Sequence, residues 1–364
     1  MRGKEMKTIL VLTQRDIYHK KAGGAERYLF NVLKGLSDHY KITCLCQNDG
    51  TQKDYEIYDN ITFIRIKTNL ISLIFKAMFY YKRNKENIDL IIDHTNTHQF
   101  FTFLYVPKNK RLLIVHQLAL EIWEYYFPKY IGKALKLLEK LLWRLSSGMA
   151  VTVSRSTKED LQRFGFKEEF IWIVKNSLKH KYTSLPHMEK EDFLVSVGRL
   201  VPYKRFEDAI YLAKKVNKKI FIIGEGQENY KRKLRNYAKK INADVIFTGY
   251  ISEEKKQDIV EKAYMHIFPS IREGWGLVIS EAANLGTPSL VYPVPGCLDA
   301  VNYGKAGFVT KRIGKEHLLE RFLTINREEY ERMRICAFEF TSQLNYNKQC
   351  EEFQQVIQSI IENT

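Results

Sequence analysis

Hydrophobic positions in the first half of the chain fall into short apolar runs that alternate with stretches of helical periodicity. Amphipathic segments at 26–39 and 156–165 indicate helices between these runs. We interpret the runs as strands: TILVLT (8–13), KITCLC (41–46), ITFIRIK (61–67), DLIID (89–93), RLLIVHQ (111–117), MAVTVS (149–154) and FIWIVKNS (170–177). The alternation predicts a parallel sheet with helices on both faces.

The same pattern restarts after a polar stretch at 178–192, which contains Pro186 and is the best linker candidate. Apolar runs at 193–198, 219–224, 244–249, 263–270 and 287–293 alternate with helical patterns at 206–217, 228–240, 253–263 and 277–286. A helical tail follows over residues 315–364. We therefore predict an α/β protein of two doubly wound domains, residues 1–180 and 190–340, with a last helix over 341–364.

The composition fits two domains, and the net charge limits the classes of molecule that the protein is expected to bind. The chain has 364 residues, and 58 Lys+Arg against 42 Asp+Glu give a net charge of +16. Such a field attracts nucleic acid, anionic lipid surfaces or phosphorylated small molecules. Basic and aromatic residues are not interleaved as in known nucleic-acid modules, so we expect no nucleic-acid partner.

The sequence has no feature of export or membrane insertion. No apolar stretch reaches the ~18 residues of a spanning helix, and the start, MRGKEMKTILVL, lacks a signal-peptide layout. The five cysteines lack zinc-ligand spacing and are expected to be reduced thiols. We therefore expect a cytoplasmic location and no metal site.

Basic and glycine-rich loops follow the predicted strands, which is where open α/β sheets bind ligands. Arg199 and Lys204 follow the strand at 193–198, and together they could neutralise a diphosphate. On charge alone, two solvated basic residues are the simpler interpretation. Gly224 and Gly226 either let a ligand approach the backbone or form a tight strand-to-helix turn.

The first half has its own candidates at strand ends. Gly23 and Gly24 precede a helix whose exposed amides suit an anion, although a flexible turn is the alternative. His116 could bind a sugar hydroxyl or a phosphate, but a lone histidine is more often structural. Weaker candidates for contacting an acceptor are His94, Asn96 and His98.

The stretch PSIREGWGLVISEAANLGTP (269–288) places two glutamates around a turn and the start of a helix. Glu273 lies before this helix, and Glu281 lies one to two turns into it. Carboxylates accept paired hydrogen bonds from neighbouring hydroxyls, such as those of a ribose or a hexose. Two solvated surface charges are the alternative, which leaves the nearby glycines and prolines unexplained.

Seven segments, in order over nearly the whole chain, resemble retaining glycosyltransferase family 4. They are AGGAER (22–27), His116, TVSRSTKEDL (152–161), VGRLVPYK (197–204), IIGEGQE (222–228), FTGYIS (247–252) and the 269–288 stretch. The resemblance implies the GT-B fold, in which two Rossmann-like domains face each other across a cleft. It also implies that the first domain binds the acceptor, that the second binds the nucleotide sugar, and that helix 341–364 crosses back to the first.

The resemblance also implies roles for individual residues. Glu273 is similar to the carboxylate that contacts the transferred sugar, and Glu281 to the one that holds the ribose. Arg199 and Lys204 resemble the pair that stabilises the departing diphosphate, and His116 the histidine near the donor sugar. The other donor-binding residues implied are Gly23, Gly24, Gly224, Gly226, Tyr250, Ile251, Gly274, Trp275, Gly276 and Leu277.

The predicted function is transfer of a hexosyl unit from a UDP- or GDP-linked sugar to a glycan or lipid-linked acceptor, with retention of configuration. We expect it to serve cell-surface polysaccharide or glycolipid assembly. No cofactor or metal is expected, because the sequence has no Asp-x-Asp element to hold a metal against a diphosphate. The alternatives are an epimerase or phosphorylase of the same fold, and a catalytically silent subunit that binds nucleotide sugar.

Residues 129–147 predict an amphipathic basic helix. Its apolar stripe is Ile131, Leu135, Leu138, Leu142 and Leu145, and its basic face is Lys129, Lys133, Lys136, Lys140 and Arg144. Such a helix can lie on an anionic membrane surface, which would make the protein peripheral on the inner face of the cell membrane. The alternative is a surface helix packed on its own sheet.

Overall fold

The structure is a computed structural model that describes residues 6–95, 98–179, 182–186 and 189–363. The chain divides into two compact units. The first combines Met1–Leu118, Leu137–Ser177 and Leu344–Thr364, and the second combines Ala119–Lys136 and Leu178–Gln343. The C-terminal segment therefore belongs to the first unit, and a segment of the N-terminal half belongs to the second.

The first unit is built on an eight-stranded sheet. Its strands are β1 (Thr8–Leu12), β2 (Lys41–Gln47), β3 (Tyr55–Tyr58), β4 (Ile61–Ile66), β5 (Leu90–Thr95), β6 (Arg111–Val115), β7 (Met149–Thr152) and β8 (Ile171–Ile173). They lie in the order β3-β4-β2-β1-β5-β6-β7-β8, and all pair in parallel except β3 with β4. The apolar pattern did not predict β3, because this edge strand has no buried face.

The second unit is built on a six-stranded parallel sheet. Its strands are β9 (Glu191–Val197), β10 (Lys219–Ile223), β11 (Val245–Gly249), β12 (Ala263–Phe268), β13 (Ser289–Val291) and β14 (Phe308–Val309). Their order is β11-β10-β9-β12-β13-β14. This is the 3-2-1-4-5-6 order of the doubly wound dinucleotide-binding fold.

Helices cover the sheets. They are α1 (Gly24–Leu36), α2 (Leu70–Asn84), α3 (Trp123–Tyr126), α4 (Lys129–Leu145), α5 (Arg155–Arg163), α6 (Phe206–Lys215), α7 (Glu228–Lys240), α8 (Glu253–Lys262), α9 (Leu277–Asn284), α10 (Cys297–Ala300), α11 (Lys315–Leu323), α12 (Arg327–Phe340) and α13 (Tyr346–Glu362). The predicted tail is thus three helices, of which the last, α13, packs on α1 within the first unit. Among the described residues, no helix is long and apolar enough to cross a membrane.

Central strands are buried on both faces, as a parallel sheet covered by helices requires. Ile9, Leu10, Val11 and Leu12 of β1 are fully buried. In each sheet the strand order reverses beside the first strand of the unit, between β1 and β5 and between β9 and β12. Ligands of doubly wound sheets bind outside the carboxyl ends of the strands at such a reversal.

Candidate functional site

The reversal point of the second unit brings together the loops that follow β9 and β12. Lys204, in a short 3-10 turn after β9, places its Nζ 2.9 Å from Oε1 of Glu273, which follows β12. The Ser270 hydroxyl donates to the same oxygen at 2.7 Å. Only 12% and 10% of the Lys204 and Glu273 side chains are exposed. Two residues 69 positions apart therefore form a largely buried ion pair.

Electrostatics keep both cations of this loop charged. Burial disfavours the charged form of Lys204, but the Glu273 carboxylate and Tyr203 together outweigh it and raise the pKa of Lys204. Desolvation also opposes the charge of Arg199, although the residue is exposed, and the nearby Tyr203, Tyr126 and Glu273 raise its pKa. The site thus holds two permanent cations beside one carboxylate, which suits a ligand of more than one negative charge.

Glu281 of α9 lies in a different pairing. Its Oε2 accepts from Nζ of Lys256 at 2.8 Å, and the same ammonium lies 2.7 Å from Oε1 of Glu253. These three side chains line one pocket with Lys179, Val197, Gln257, Val260 and Val278. Lys256 therefore orients the carboxylate that resembles the ribose-binding one, at the edge of a pocket with one apolar wall.

The Gly-Trp-Gly turn between the two glutamates is held by its own tryptophan. Trp275 is 4% exposed, donates its indole N–H to the Ser280 hydroxyl at 2.9 Å and stacks on Phe340. This indole anchors the turn, which differs from the expected contact with a ligand. Gly274 is buried. Gly276 has φ +85° and precedes Leu277, the first residue of α9.

The glycines of the loop after β10 are explained by neighbouring backbone. A Cβ on Gly224 would lie 2.1 Å from the carbonyl oxygen of Gly198, and one on Gly226 would lie 2.1 Å from that of Leu200. The close approach that these glycines permit is therefore between two loops, rather than between a loop and a ligand. Their role is to seat the backbone that carries Arg199.

Tyr250 and Ile251, two of the donor-binding residues that the resemblance implies, lie directly after β11. Tyr250 is 85% exposed. The Ile251 side chain is half-buried and packs against a core cluster that includes Phe193 and Val195 of β9. A ligand would therefore meet the side chain of Tyr250, whereas Ile251 mainly secures the loop.

In the first unit, Gly23 caps α1 and Gly24 is its first residue. The Gly23 N–H donates to the Glu26 carboxylate at 2.8 Å, and Glu26 is 4% exposed. This amide, expected to face an anion, is thus already used by the helix itself. The Gly-x-x-Glu spacing is a capping-box pattern that sequence reasoning missed.

A chain of hydrogen bonds leads to His116. Its Nε2 lies 2.8 Å from Nε2 of His94, whose Nδ1 lies 2.8 Å from the Thr13 hydroxyl. All three side chains are buried. The Thr157 hydroxyl of α5 also donates to the His116 carbonyl at 3.3 Å. His94 is therefore a support for His116 rather than an exposed acceptor contact, while His98 is exposed and Asn96 lies outside the described residues.

Residues that sequence reasoning missed hold the predicted ones in place. Ser270 and Lys256 each hydrogen-bond to a candidate side chain in the second unit, the first to Glu273 and the second to Glu281. In the same unit, Arg272 donates to Glu121 at 2.7 Å. In the described part of the chain, no three His, Cys, Asp or Glu side chains cluster as metal ligands would.

Two family models match the chain in succession. Residues 22–180 match the model described as Glycosyltransferase Family 4, and residues 180–337 match the one described as Glycosyl transferases group 1. The chain belongs to these glycosyltransferases. The resemblance read from its motifs is thereby confirmed.

A curated relative of this glycosyltransferase is the O-antigen chain mannosyltransferase RfbU of Salmonella typhimurium, 26% identical over 48% of this chain and 51% of the relative. The chain spans about half of the length of the first curated relatives that it matches, 45% and 51%. The relatives support the family, but because their identities are low they leave the substrate open.

Solved structures extend the comparison to the whole glycosyltransferase chain. Sucrose-phosphate synthase from Thermosynechococcus elongatus aligns with a TM-score of 0.79 at 16% identity, over 98% of this chain and 100% of that one. HepE of Anabaena in complex with UDP-glucose aligns with a TM-score of 0.71 at 17% identity, over 97% and 99%. The predicted GT-B fold, with two Rossmann-like parallel-sheet domains, is confirmed.

Proposed function

We propose that this chain transfers a hexosyl unit from a UDP- or GDP-linked sugar to a glycan or lipid-linked acceptor, with retention of anomeric configuration. The observation that carries the proposal is the buried pair of Lys204 and Glu273, with Arg199 beside it, at the strand-order reversal of the second unit. A donor needs cations for its diphosphate and a carboxylate for its sugar hydroxyls, and this arrangement offers both.

The proposed chemistry depends on where charge develops. When the sugar–phosphate bond breaks, negative charge grows on the leaving nucleoside diphosphate, and Lys204 and Arg199 are placed to stabilise it. The first turn of α9 adds backbone N–H groups, whose partial positive charge also favours the negatively charged leaving group. Because these groups are fixed before the reaction, no reorganisation is needed as the bond breaks.

Glu273 acts in this proposal as a binding group and not as a nucleophile. Its Oε1 already accepts hydrogen bonds from an ammonium and a hydroxyl, which lowers its electron density for attack. Retention is then proposed to follow from attack by the acceptor on the face that the diphosphate leaves. Glu281, oriented by Lys256, holds the ribose hydroxyls in the same scheme.

The relatives support the donor and the pathway class. RfbU is named as a mannosyltransferase of the O-antigen chain, and HepE was solved with UDP-glucose. The HepE complex fits a nucleotide-sugar donor, and the RfbU name fits a product that is an O-antigen chain. We carry these properties to the present chain only as part of the proposal.

The test is a panel of UDP- and GDP-sugars incubated with a lipid extract as acceptor, scored for release of nucleoside diphosphate and for a glycosylated product. We expect one donor to turn over equally with and without EDTA, since the two cations take the role of a metal. Transfer that stops in EDTA would contradict metal independence, and epimerised or phosphorolysed donor would favour the other enzymes of this fold.

Variants locate the reaction in the proposed site. Lys204→Met and Glu273→Gln should each lower transfer by roughly 100-fold or more, as loss of a preorganised charge does. The matched control is Lys262→Met, which removes an exposed lysine that lies 2.7 Å from Asp258. Near-normal rates in Lys204→Met would place the reaction elsewhere, and no turnover in the wild type would favour a silent binding subunit.

We also propose that α4 lies on an anionic membrane surface, where it would bring the enzyme to a lipid-linked acceptor. Of the predicted stripe, Ile131, Leu138 and Leu145 are exposed, and Leu137 and Leu141 add 69% and 51% exposed side chains. Trp143, 3% exposed, makes the buried contact of this helix. Most of the apolar stripe is thus uncovered and flanked by Lys133, Lys140 and Arg144, which complement anionic headgroups.

Sedimentation with vesicles tests this surface. The full chain should bind vesicles that contain phosphatidylglycerol, bind less as salt rises, and ignore pure phosphatidylcholine. Leu138→Ser/Leu141→Ser should weaken binding at low salt, whereas Leu323→Ser, which changes an even more exposed leucine on α11, should not. Equal binding to both lipids would refute the electrostatic part, and unchanged binding of the double variant would refute the apolar part.

A further inference from the structure

The buried triad of Thr13, His94 and His116 has a proton arrangement that its contacts determine. The Thr13 hydroxyl lies 2.9 Å from the Arg15 carbonyl oxygen and 2.8 Å from Nδ1 of His94. Both contacts can be hydrogen bonds at the same time in only one arrangement, because a carbonyl oxygen can only accept and Thr13 has a single hydroxyl proton. In that arrangement Thr13 donates to the Arg15 carbonyl, and His94 Nδ1 carries a proton that it donates to the Thr13 oxygen.

The protonation of the two histidine rings follows from their burial and from the contact between them. Burial, followed by the proximity of His116, lowers the pKa of His94 well below its usual value, and burial lowers the pKa of His116 to about 4. Both rings are therefore neutral near pH 7, with one proton each. Because the His94 proton is on Nδ1, the Nε2 atom of His94 has a free lone pair and can only accept. The two Nε2 atoms lie 2.8 Å apart, so the hydrogen bond between them requires a proton on Nε2 of His116.

We propose that Thr13 and His94 are positioning residues that hold His116 as its neutral Nε2–H tautomer, so that its Nδ1 can accept a hydrogen bond from a hydroxyl of the sugar substrate. The inference rests on the proposed function and on the family resemblance, which implies that His116 lies near the donor sugar. The two ring nitrogens point in divergent directions, so engagement of Nε2 by His94 directs Nδ1 away from the triad.

The surroundings of the triad fix the ring as well as its proton. Tyr28 packs edge-on against His116 with ring centroids 5.1 Å apart, and Thr157 holds the His116 carbonyl. The triad thus links the loop after β1, the end of β5 and the end of β6, which meet at the reversal point of the first sheet.

The experiment reads the tautomer directly and independently of activity. Long-range ¹⁵N–¹H correlation spectra of the full chain, labelled at its nine histidines, assign His116 by comparison with His116→Gln. We expect the Nε2–H pattern in the wild type. Thr13→Val removes the acceptor of the His94 proton, and His116 should then lose its single-tautomer pattern. Thr13→Ser keeps a hydroxyl and should restore it.

Steady-state kinetics, measured with the donor that the enzyme is found to use, give the second readout. Thr13→Val should lower kcat/KM by roughly 10-fold to 100-fold, by analogy with the loss of an outer hydrogen-bond partner of a metal-bound histidine, with UDP affinity unchanged. Thr13→Ser and His94→Gln, whose amide oxygen can still accept from His116, should retain most of the activity. If Thr13→Val fails to fold, these two variants and His94→Phe decide the same point.

Each failure points to a different conclusion. An Nδ1–H pattern for His116 in the wild type overturns the inference, whether or not the enzyme is active. A changed tautomer in Thr13→Val with unchanged kcat/KM overturns the positioning role. Absence of transfer by the wild type with any donor sinks the proposed function instead, while the tautomer assignment is still decided by the spectra.

Discussion

Replacing Glu273 by glutamine should remove the counter-charge of a buried ammonium while keeping the size of the side chain. In the native protein, Lys204 Nζ lies 2.9 Å from Glu273 Oε1, with 12% and 10% of the two side chains exposed. The ammonium also lies 4.7 Å from the centre of the Phe268 ring. In Glu273→Gln, Lys204 therefore has an amide oxygen and a ring face in place of an opposite charge.

The expected loss of stability follows from this burial. At an effective dielectric constant of about 20, two unit charges 2.9 Å apart attract by roughly 6 kcal/mol. Desolvation cancels much of that attraction, and removing one partner of a buried pair costs about 3–5 kcal/mol. Glutamine retains an acceptor for the ammonium, so we expect the low end, about 3 kcal/mol. For a unit of this size that corresponds to about 6–12 °C in Tm.

Scanning calorimetry of the full chain measures this change, with Asp258→Asn as the control. Asp258 pairs with Lys262 on the surface of the same unit, with side chains 57% and 36% exposed, so its loss should cost less than about 1 kcal/mol. UDP should raise the Tm of Glu273→Gln more than that of the wild type, because its diphosphate returns a counter-charge to Lys204. Equal stability losses in the two variants would refute the assignment of a buried, coupled pair.

Three further outcomes are expected. Lys256→Met should weaken UDP binding by roughly 3-fold to 10-fold, since Glu281 loses the ammonium that orients it at 2.8 Å; an unchanged Kd by calorimetric titration would separate Glu281 from the nucleotide. Gly224→Ala should lower the free energy of unfolding by more than about 3 kcal/mol, because the new Cβ would lie 2.1 Å from the Gly198 carbonyl oxygen. The control Gly304→Ala, at φ +91° and 3.8 Å from its nearest neighbour, should lower it by only about 1–2 kcal/mol. Similar urea midpoints for the two variants would show that backbone strain matters rather than the clash. Burial lowers the pKa of His116 to about 4 and that of His266 to about 3, so below pH 6.5 the unfolded chain binds more protons than the folded one. The free energy of unfolding should therefore fall on acidification from pH 7 to 5, by up to about 1.4 kcal/mol per pH unit for each histidine. His266→Gln should flatten this dependence, and a Tm independent of pH would contradict it.

Several elements could be predicted from local pattern. The apolar runs that became the central strands β9 and β12 are buried along most of their length, because a parallel strand that is covered on both faces must be apolar. The stretch at 269–288 was predicted as a turn followed by a helix, and Gly276 and Leu277 mark that helix start. In contrast, β3 is an exposed edge strand, so its hydrophobic pattern carried no signal.

Pairings between distant residues could not be read from the same pattern. The glycines at 224 and 226 are required by a loop 26 residues earlier in the chain, which only the parallel pairing of β9 and β10 brings near. The tryptophan of the Gly-Trp-Gly turn is an anchor because Phe340, far along the chain, covers it. The assignment of residues 119–136 to the second unit likewise depends on packing against Val201, Tyr203 and Ile271.

The sequence by itself determined the two doubly wound domains, the family and the residues at the strand ends, because these depend on local periodicity and short motifs. Tertiary structure decided which of those residues touch. It paired Lys204 with Glu273, gave Glu281 to Lys256, and turned His94 from an acceptor candidate into a support for His116. Hydrogen bonds and ion pairs act over about 3 Å, and only the strand order of each sheet brings side chains so distant in sequence within that range.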